Sequence, residues 1–443
     1  MAYHFPPFGG AGVQRNAQLA RRLGELGWAQ TVISGPGLSE SRWTPLDAGL
    51  TTQPFAAQVL RLPASEPPAR RRSERAERWL RMPTGWRRWW HRELLRKAFE
   101  LRGAVDVIHA SVAPYQTAES AVALSRVLDA PLVLDLEDPW ALDDMYVYPT
   151  SFHRRLERDR MRRVLEQADL VVMNTSEAAR RVRATFPRLL TEVIAIPNSF
   201  EPADFLTPAP SPRAGAFKIV HTGSFHTDLA RQESTATWPR RLLGGYERDA
   251  NFLARSPAYL LEAIRRAFRI RPELAAGLEL HLAGVLTHED EQLLGDARFV
   301  HRHGFLTHDD TIALIKSADL LFLPLYDLPP GRRAAIVPQK TYEYVASGRP
   351  ILAAVPDGDA RDLARACGTA RLCRPADVEA LTAAILHFAG SEGRAASLRP
   401  NADVVRSCES GQMAQALTAA FERVARRRGR QARAGSALAV SVS

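Results

Sequence analysis

The sequence predicts an α/β protein with two Rossmann-like domains, each a doubly wound parallel sheet. Short apolar runs rich in Val, Leu and Ile alternate with amphipathic segments almost throughout the 443 residues. This alternation is typical of strands buried on both faces of a parallel sheet, with helices between them. The runs form two series, and residues 206–216 between them contain three Pro and show no periodicity. We interpret this segment as an interdomain linker.

The two series of apolar runs give the strands and the domain limits. We expect an N-terminal domain over residues 1–205 and a C-terminal domain over residues 217–400, with a cleft between them. Residues 226–254 form an insertion in the second domain, and a helix at about 405–428 packs back on the first. The expected strands are Thr31–Ser34, Val105–His109, Pro131–Leu136, Leu170–Met173, Glu192–Ile196, Phe217–His221, Leu278–Ala283, Asp319–Leu323 and Ile351–Val355.

The first helix is expected over Gly12–Leu26, where apolar residues recur three or four apart until Gly27 ends the pattern. A glycine turn at residues 9–12 opens this helix, and in a doubly wound fold such a turn follows the first strand. Only Met1–Phe5 precede the turn, which is too short for a full central strand. We therefore expect translation to start upstream of Met1.

Positive charge is concentrated in two segments, although the formal net charge of the chain is +10. Residues 61–102 carry 13 Arg or Lys against 5 Glu, and the tail after Glu422 carries six Arg and no acid. The remainder is slightly acidic, which argues against a nucleic-acid-binding fold. Arg mixed with Trp suits contact with anionic lipid headgroups, so residues 70–102 are a candidate membrane surface. The alternative is that the four Trp of this segment pack into the domain. They are Trp79, Trp86, Trp89 and Trp90.

Other features bound the environment of the protein. No apolar run reaches the roughly 18 residues of a transmembrane helix, and the first ten residues do not resemble a signal peptide. The cysteines, Cys367, Cys373 and Cys408, are odd in number and lack metal-binding spacing. We expect a cytoplasmic protein with reduced cysteines, peripheral to the inner membrane face if the basic segment binds lipid.

Two segments have the residues to bind a phosphorylated ligand. In residues 5–15, FPPFGGAGVQR, glycines permit close approach of the backbone, and the following helix offers free N–H groups to an anion. In residues 338–351, PQKTYEYVASGRPI, a short helix begins near Lys340, and Glu343 on its first turn is suited to accept hydrogen bonds from ribose hydroxyls. A structural turn and a surface glutamate near a helix N-terminus explain the same residues equally well.

These segments resemble glycosyltransferase family 4. The resemblance rests on the opening YHFPP-GG-G-VQR, PNSFEPADF (197–205), HTGSF (221–225) and KTYEYVASGRPI (340–351), in the family's order. It implies the GT-B fold and the transfer of a sugar, with retention of configuration, from a nucleotide-sugar donor. The acceptor in this family is commonly a lipid-linked or cell-surface glycan.

The resemblance also implies roles for individual residues. Glu343 matches the ribose-binding glutamate of the family, and His303, Gly304 and Phe305 match the stretch that reads the base. The remaining donor-binding candidates match segments around the diphosphate and the donor sugar. They are Gly9, Gly10, Gly12, Gly223, Ser224, Lys340, Thr341 and Tyr342.

The sequence departs from the family pattern at the catalytic positions. A second glutamate, eight residues before Glu343, is replaced by Ala335. The histidine that many members carry after the strand reading LVLDL is absent, and Glu137 and Asp138 stand there. We take these two acids as catalytic candidates together with His109, at a neighbouring strand end. A structural role is the alternative for His109.

The departing nucleoside diphosphate needs stabilisation of its charge, which the family provides with helix N-termini and cations. The insertion disrupts the usual phosphate-binding Arg and Lys pair, so Arg255 becomes the candidate cation. We expect no cofactor and no metal. Asp357-Gly-Asp359 has the Asp-x-Asp form in the wrong domain context, and no His/Cys cluster has zinc spacing.

The leading hypothesis is a glycosyltransferase with a nucleotide-sugar donor and a glycan or lipid-linked acceptor. A GT-B epimerase acting on a nucleotide sugar is an alternative that would carry more acid–base residues in the cleft. A non-catalytic nucleotide-sugar-binding subunit is another, and Ala335 makes it plausible.

Overall fold

The structure is a computed structural model in which several segments of the chain are left undescribed. The described residues are 1–37, 44–51, 55–63, 79–80, 84–101, 105–207, 216–234, 243, 249–390 and 398–440. Most of the expected linker, residues 208–215, lies outside them, as do residues 64–78 and 81–83 of the basic segment.

The N-terminal domain is a parallel sheet with apolar clusters on both faces. Its strands are β1 (Thr31–Ser34), β2 (Gln58–Arg61), β3 (Ile108–Ser111), β4 (Leu132–Leu136), β5 (Leu170–Met173) and β6 (Glu192–Ala195), and its helices are α1 (Ala11–Glu25), α2 (Gly85–Phe99), α3 (Ala118–Leu128), α4 (Ser151–Leu165) and α5 (Ser176–Thr185). Strands β3 to β6 pair in sequence order, and β1 pairs with β2. Ala2 bridges Ser34 of β1 and Ser111 of β3 in parallel, so residues 1–3 lie in the central position of the sheet.

The C-terminal domain is a six-stranded parallel sheet. Its strands are β7 (Phe217–Thr222), β8 (Leu278–Ala283), β9 (Val300–Gly304), β10 (Leu320–Pro324), β11 (Ile351–Ala354) and β12 (Ala370–Cys373), and its helices are α6 (Thr227–Ser234), α7 (Ala258–Ile270), α8 (His288–Leu294), α9 (His308–Lys316), α10 (Lys340–Ser347), α11 (Asp359–Ala366) and α12 (Val378–Ala389). The strand order is β12-β11-β10-β7-β8-β9. Successive strands are added on one side of β7 and then on the other, so the point at which the connections reverse lies between β7 and β10. Ligands bind at such switch points, beyond the carboxyl ends of the strands.

The chain ends in two helices, α13 (Ala402–Ser407) and α14 (Ser410–Val440). The first turns of α14 bury Met413, Leu417 and Phe421 against Leu19 and Leu23 of α1. The C-terminal segment therefore packs on the N-terminal domain and ties the two ends of the chain together.

The two-domain α/β fold predicted from the sequence is confirmed, and every predicted strand overlaps an observed one. Strands β2, β9 and β12 were not predicted. Each has exposed or half-buried residues along its length, so none carries the continuous apolar run that marked the others. Strands at a sheet edge are exposed in this way because only one neighbour covers them.

The prediction that the rings of Trp89 and Trp90 lie at a membrane is wrong. Both rings are buried in the core of the N-terminal domain, at 2% and 0% exposure. Trp86 packs beside them and donates its indole N–H to the Tyr3 hydroxyl at 3.2 Å. Trp79 is 54% exposed. The aromatic half of the proposed membrane surface therefore belongs mainly to the core.

The two domains are joined by polar contacts that cross between them. Asp144 of the N-terminal domain accepts from Arg181 at 2.9 Å and from the Tyr326 hydroxyl of the C-terminal domain at 2.9 Å. Asp359 of α11 accepts from the backbone N–H of Glu177, at the start of α5, at 2.9 Å. These buried or half-buried contacts fix the orientation of the two walls of the cleft.

Candidate active site

The turn after β7 and the start of α10 bring together a lysine and a histidine. Lys340 Nζ lies 3.2 Å from His221 Nε2, and His221 Nδ1 lies 3.0 Å from the carbonyl oxygen of Phe322. Since a carbonyl only accepts, Nδ1 carries the ring proton and Nε2 accepts from Lys340. Burial and the nearby Arg255 hold the pKa of Lys340 well below its ordinary value.

Gly223 is required by this arrangement. Its φ of +89° lies in the left-handed region, and a Cβ there would be 2.9 Å from Lys340 Nζ. Any side chain would be strained and would press on the ammonium group. Ser224, the next residue, is half-buried. The turn thus keeps open space in front of the lysine.

Arg255 is a second cation that points toward the N-terminal domain. Its Nη1 lies 3.3 Å from the Met145 sulfur, and Asp138 and Asp143 attract it at longer range. Burial lowers the pKa of Arg255, the same direction as for Lys340. Within the described residues neither cation forms an ion pair with a carboxylate. The C-terminal wall therefore presents two partly desolvated positive charges.

The N-terminal wall presents acids instead. Burial, reinforced by Asp138 and Asp135, raises the pKa of Glu137 to about 7. Burial together with Asp138 raises the pKa of Asp143 to about 7, and burial raises that of Asp138. Ser111 donates to Glu137 at 3.1 Å. Three carboxyl groups after β4 therefore share this corner with little neutralisation.

Gly12 gives the Glu137 carboxyl its position. A Cβ at Gly12 would lie 2.0 Å from Glu137 Oε2, so the carboxyl group occupies the space that a side chain would need. Gly12 lies in the first turn of α1, and Gly10 caps that helix with φ +100°. The positive end of the helix therefore faces an acid of this chain, in addition to any donor group.

Gly9 and Phe305 approach each other from the two domains. A Cβ at Gly9 would lie 3.5 Å from the Phe305 ring, and the Gly9 N–H donates to Pro45 O at 2.6 Å. Phe305, which is 41% exposed, follows β9 directly after His303 and Gly304. The glycine turn and the predicted base-reading stretch are thus neighbours across the cleft.

Glu343 lies on the buried side of α10, 6% exposed, and its neighbour His308 lines a small pocket of about 40 Å³ in the cleft. Burial raises the pKa of Glu343, and His308 is its nearest cationic neighbour. His308 Nε2 lies 2.7 Å from Asp204, and this carboxylate together with Glu343 raises the pKa of His308 to about 9. Gln14 and Glu201 also line the cleft. The position suits a carboxylate that binds hydroxyl groups.

Thr341 and Tyr342 were expected near the donor diphosphate, but their backbone N–H groups have hydrogen-bond partners within the chain. Their backbone N–H groups donate to Pro338 O and Gln339 O at 2.9 and 3.1 Å. The Tyr342 ring is buried in the core, whereas Thr341 Oγ1 is buried without a partner among the described residues. Because these amides are already engaged, the Lys340 side chain is the stronger candidate for a phosphate contact.

His109 lies away from the other predicted site residues. Its Nε2 is 3.1 Å from Asp135 Oδ2, and its ring packs 5.5 Å from that of Phe421. Asp135 also accepts from Arg15 at 3.0 Å in a buried ion pair. The contacts of His109 are those of a structural histidine, and the structure does not bring it to the acids after β4.

Ala335 and the Asp-x-Asp segment offer no further chemistry. Ala335 is 1% exposed in the core of the N-terminal domain, and its carbonyl oxygen accepts from Thr175 at 2.8 Å. Asp359 pairs with Arg333 at 3.1 Å, and Asp357 lies 3.8 Å from Arg361. These aspartates are engaged by arginines and by the start of α5.

Sequence reasoning missed His221, His308 and Asp143 as members of the site. His221 lies within the HTGSF segment that the resemblance used, but nothing in the sequence shows its contact with Lys340. Asp143 belongs to the acid-rich run that continues past Asp138, and that density of carboxylates was the available signal.

Comparison with known proteins agrees with this geometry. The sequence matches the glycosyl transferase 4-like domain over residues 9–199 and the glycosyl transferases group 1 family over residues 253–390. No curated protein matches the sequence. Several solved structures share the fold, as follows.

The N-terminal domain of trehalose-6-phosphate phosphatase from Candida albicans is 12% identical (TM-score 0.61), covering 94% of this chain and 93% of that one. HepE from Anabaena, solved with UDP and glucose, is 15% identical (TM-score 0.58; 94% and 96% covered). Sucrose-phosphate synthase from Thermosynechococcus elongatus is 16% identical (TM-score 0.55; 97% and 94% covered). Identities this low establish the shared fold alone, whereas the two family matches cover most of the chain. The chain is therefore a glycosyltransferase with the GT-B fold, in which a glycosyl transferase 4-like domain is followed by a glycosyl transferases group 1 domain.

Proposed function

We propose that the enzyme transfers a sugar from a nucleoside diphosphate sugar to a glycan or lipid-linked acceptor, with retention of configuration, in cell-surface polysaccharide synthesis. The observation that carries the proposal is the pair of cations at the switch point of the C-terminal sheet. Lys340 and Arg255 are partly desolvated and have no carboxylate partner among the described residues. A diphosphate supplies the negative charge that this wall lacks.

The same two cations suit the chemistry of the leaving group. When the bond between the sugar and the diphosphate breaks, negative charge grows on the departing phosphate oxygen. Fixed cations near that oxygen stabilise the transition state more than the ground state. We propose that Lys340 and Arg255 do this work and that no metal is needed.

The rest of the donor fits along the cleft. Glu343 is buried near His308, which lines a pocket of the cleft, and is proposed to accept hydrogen bonds from the ribose. Phe305 is exposed at the end of β9 and is proposed to contact the base. UDP is the first nucleotide to test for binding, and UDP-glucose the first donor, because HepE, a structure with this fold, was solved with UDP and glucose.

The acid-rich wall is proposed to act on the donor sugar and the acceptor. Glu137, with a pKa raised to about 7, exchanges its proton near neutral pH and is proposed to act as acid or base toward a sugar hydroxyl. The Tyr115 and Trp140 rings stack at 5.5 Å beside these acids. Trp140 is buried and Tyr115 is half-buried, so only the Tyr115 ring is accessible from this corner.

We also propose that the protein binds an anionic membrane surface, and the basis for this is now a row of arginines. Arg88, Arg92 and Arg96 recur every four residues along α2 and are exposed. Such a row contributes about 1 kcal/mol per residue near anionic lipid. No helix among the described residues combines the length and the apolar character needed to span a bilayer. Cytoplasmic location at the inner membrane face is therefore proposed as a surface association.

The test is product analysis with a panel of nucleotide sugars. A donor that binds raises the melting temperature by mass action, and incubation with that donor should slowly release free sugar. NMR of the newly formed product should show the anomeric configuration of the donor. Inverted product would refute retention, and binding without any sugar release would support the alternative of a non-catalytic subunit, which the packed Ala335 favours.

A further inference from the structure

Four side chains that can bind a metal lie together on strands β8 and β9, apart from the acids and cations described above. The two strands are parallel, and His281 of β8 is directly opposite His301 of β9. Side chains two residues apart project from the same face of a strand. Glu279 and His281 therefore share one face with His301, and His303, at the register shift that follows Arg302, also contacts His281.

The contacts within this group, the β8–β9 cluster, are close. His281 Nε2 lies 2.9 Å from Glu279 Oε2, and His281 Nδ1 lies 2.9 Å from His303 Nε2. The His281 ring stacks on that of His301 at 4.5 Å. One ligand atom from each of Glu279, His281 and His301 lies within 4.8 Å of the other two.

We propose that the β8–β9 cluster binds one divalent transition-metal ion, of which Zn²⁺ is the reference case. The ligands are the Glu279 carboxylate, His281 Nε2 and a ring nitrogen of His301, with water at the open position. Zinc bonds of about 2.0–2.2 Å place tetrahedral ligand atoms roughly 3.4 Å apart. His301, whose ligand atom lies within 4.8 Å of the other two, therefore moves closer, whereas Glu279 Oε2 and His281 Nε2, now 2.9 Å apart, separate slightly. His301 is exposed and Glu279 is half-buried, so both side chains have room to move.

The hydrogen bonds of His281 suit this role. With the metal on Nε2, the ring proton sits on Nδ1 and is donated to His303 Nε2. A metal-bound histidine is commonly oriented by such a bond from its second nitrogen. Lys218 of β7 lies opposite Glu279 of β8 in the sheet. Lys218 repels a bound cation, and the Glu279 carboxylate offsets that repulsion.

The bound ion would hold the edge strand of the C-terminal domain in place. Strand β9 has one neighbour, β8, and continues into Phe305. An ion held by both strands ties the edge of the sheet to its interior. Its role is structural, and the proposal is independent of the transfer chemistry proposed above.

The experiment is a metal titration of the full chain, without an affinity tag and stripped with EDTA. We expect calorimetry to show one equivalent of Zn²⁺ bound and the melting temperature to rise on addition of Zn²⁺. Co²⁺ should give the visible absorption bands of a site with nitrogen ligands. The cysteines are buried and do not compete for the ion.

Three variants decide which residues bind the ion. His301→Ala and Glu279→Gln should weaken Zn²⁺ binding at least tenfold and abolish the thermal shift. His288→Ala is the matched control, because His288 is exposed on the neighbouring α8 and contacts Gln292. Circular dichroism should show all three folded. Failure of the natural chain to bind one equivalent, or equal binding by His301→Ala, would overturn the proposal.

Discussion

The two walls of the cleft carry ionisable groups of opposite kind, carboxylic acids on the N-terminal wall and basic groups on the C-terminal wall. In the N-terminal domain, burial raises the pKa of Glu137 and Asp143 to about 7. In the C-terminal domain, burial lowers the pKa of Lys340 and Arg255. On both sides the shift disfavours the charged form, which is the mark of groups that lack a partner.

Arg15 and Asp135, close to the cleft, show the contrast. They form a buried ion pair at 3.0 Å, and Arg15 also donates to Ile196 O and Pro197 O. The pKa of Asp135 is lowered, the reverse of its neighbour Glu137. Arg15 and Asp135 are therefore paired within the fold, whereas Glu137 has no such cationic partner within hydrogen-bonding distance among the described residues. Perturbed, unpaired groups of this kind cluster at functional sites.

The largest expected effect comes from the acidic wall. Glu137→Gln keeps the shape of the side chain and removes its proton exchange, so kcat for sugar transfer should fall roughly 10²–10⁴-fold, the usual contribution of acid–base catalysis. Steady-state kinetics measures it. Glu100→Gln, exposed on the surface, is the control. A kcat within twofold of the natural enzyme would remove Glu137 from the chemistry.

The next largest effect is expected on the affinity for the donor. Glu343→Gln exchanges a charged acceptor for a neutral one at the proposed ribose contact. Donor affinity should fall roughly 10- to 150-fold, equivalent to about 1.5–3 kcal/mol. Titration of the donor nucleotide measures it, with circular dichroism to confirm the fold. If affinity is unchanged, the ribose lies elsewhere.

The shifted acid also predicts a pH dependence of stability. Because the folded-state pKa of Glu137 is raised from 4.5 to about 7, the carboxyl group favours the folded state at low pH. That contribution is lost as the pH rises from 4.5 to about 7. The free energy of unfolding, measured with urea, should therefore fall over this window relative to Glu137→Gln. If the free energies of unfolding of the two proteins change with pH in parallel, the raised pKa of Glu137 is contradicted.

The smallest expected effect is that of metal removal on catalysis. Since Lys340 and Arg255 are proposed to stabilise the diphosphate, EDTA should leave the rate of sugar transfer unchanged. The loss of an ion from the β8–β9 cluster would lower the melting temperature only. Activity that disappears with EDTA and returns with Mn²⁺ or Mg²⁺ would revive Asp357 and Asp359 as ligands.

Most of the fold could be predicted because the central strands are continuous apolar runs. The run Leu170–Met173, for example, is apolar and buried at every position. Strand β9, which reads VHRHG, could not be predicted because it lies at the edge and its polar side chains are exposed. The cluster of Glu279 with three histidines was missed for the same reason. It forms only through the pairing of β8 with β9.

The site was predicted in part, and the errors have one cause. The local sequence indicates which residue types are present, not which way they face. Trp89 and Trp90 stand among arginines in the sequence, yet they face the core of the domain. His109 was expected at a strand end, but it lies inside β3 and pairs with Asp135. The Lys340 contact with His221 joins residues 119 positions apart, which no local pattern records.

The central claim is that the C-terminal wall binds the diphosphate and the N-terminal wall acts on the sugar. Calorimetric titration of UDP into Lys340→Met and Glu137→Gln tests it most directly, with the exposed Lys97→Met as control. Loss of the ammonium group should weaken UDP binding roughly 100-fold, the scale of a charge-assisted contact. Glu137→Gln should bind UDP within threefold of the natural enzyme. If Lys340→Met binds UDP as well as the natural enzyme does, or both variants lose it equally, the division between the two walls is wrong.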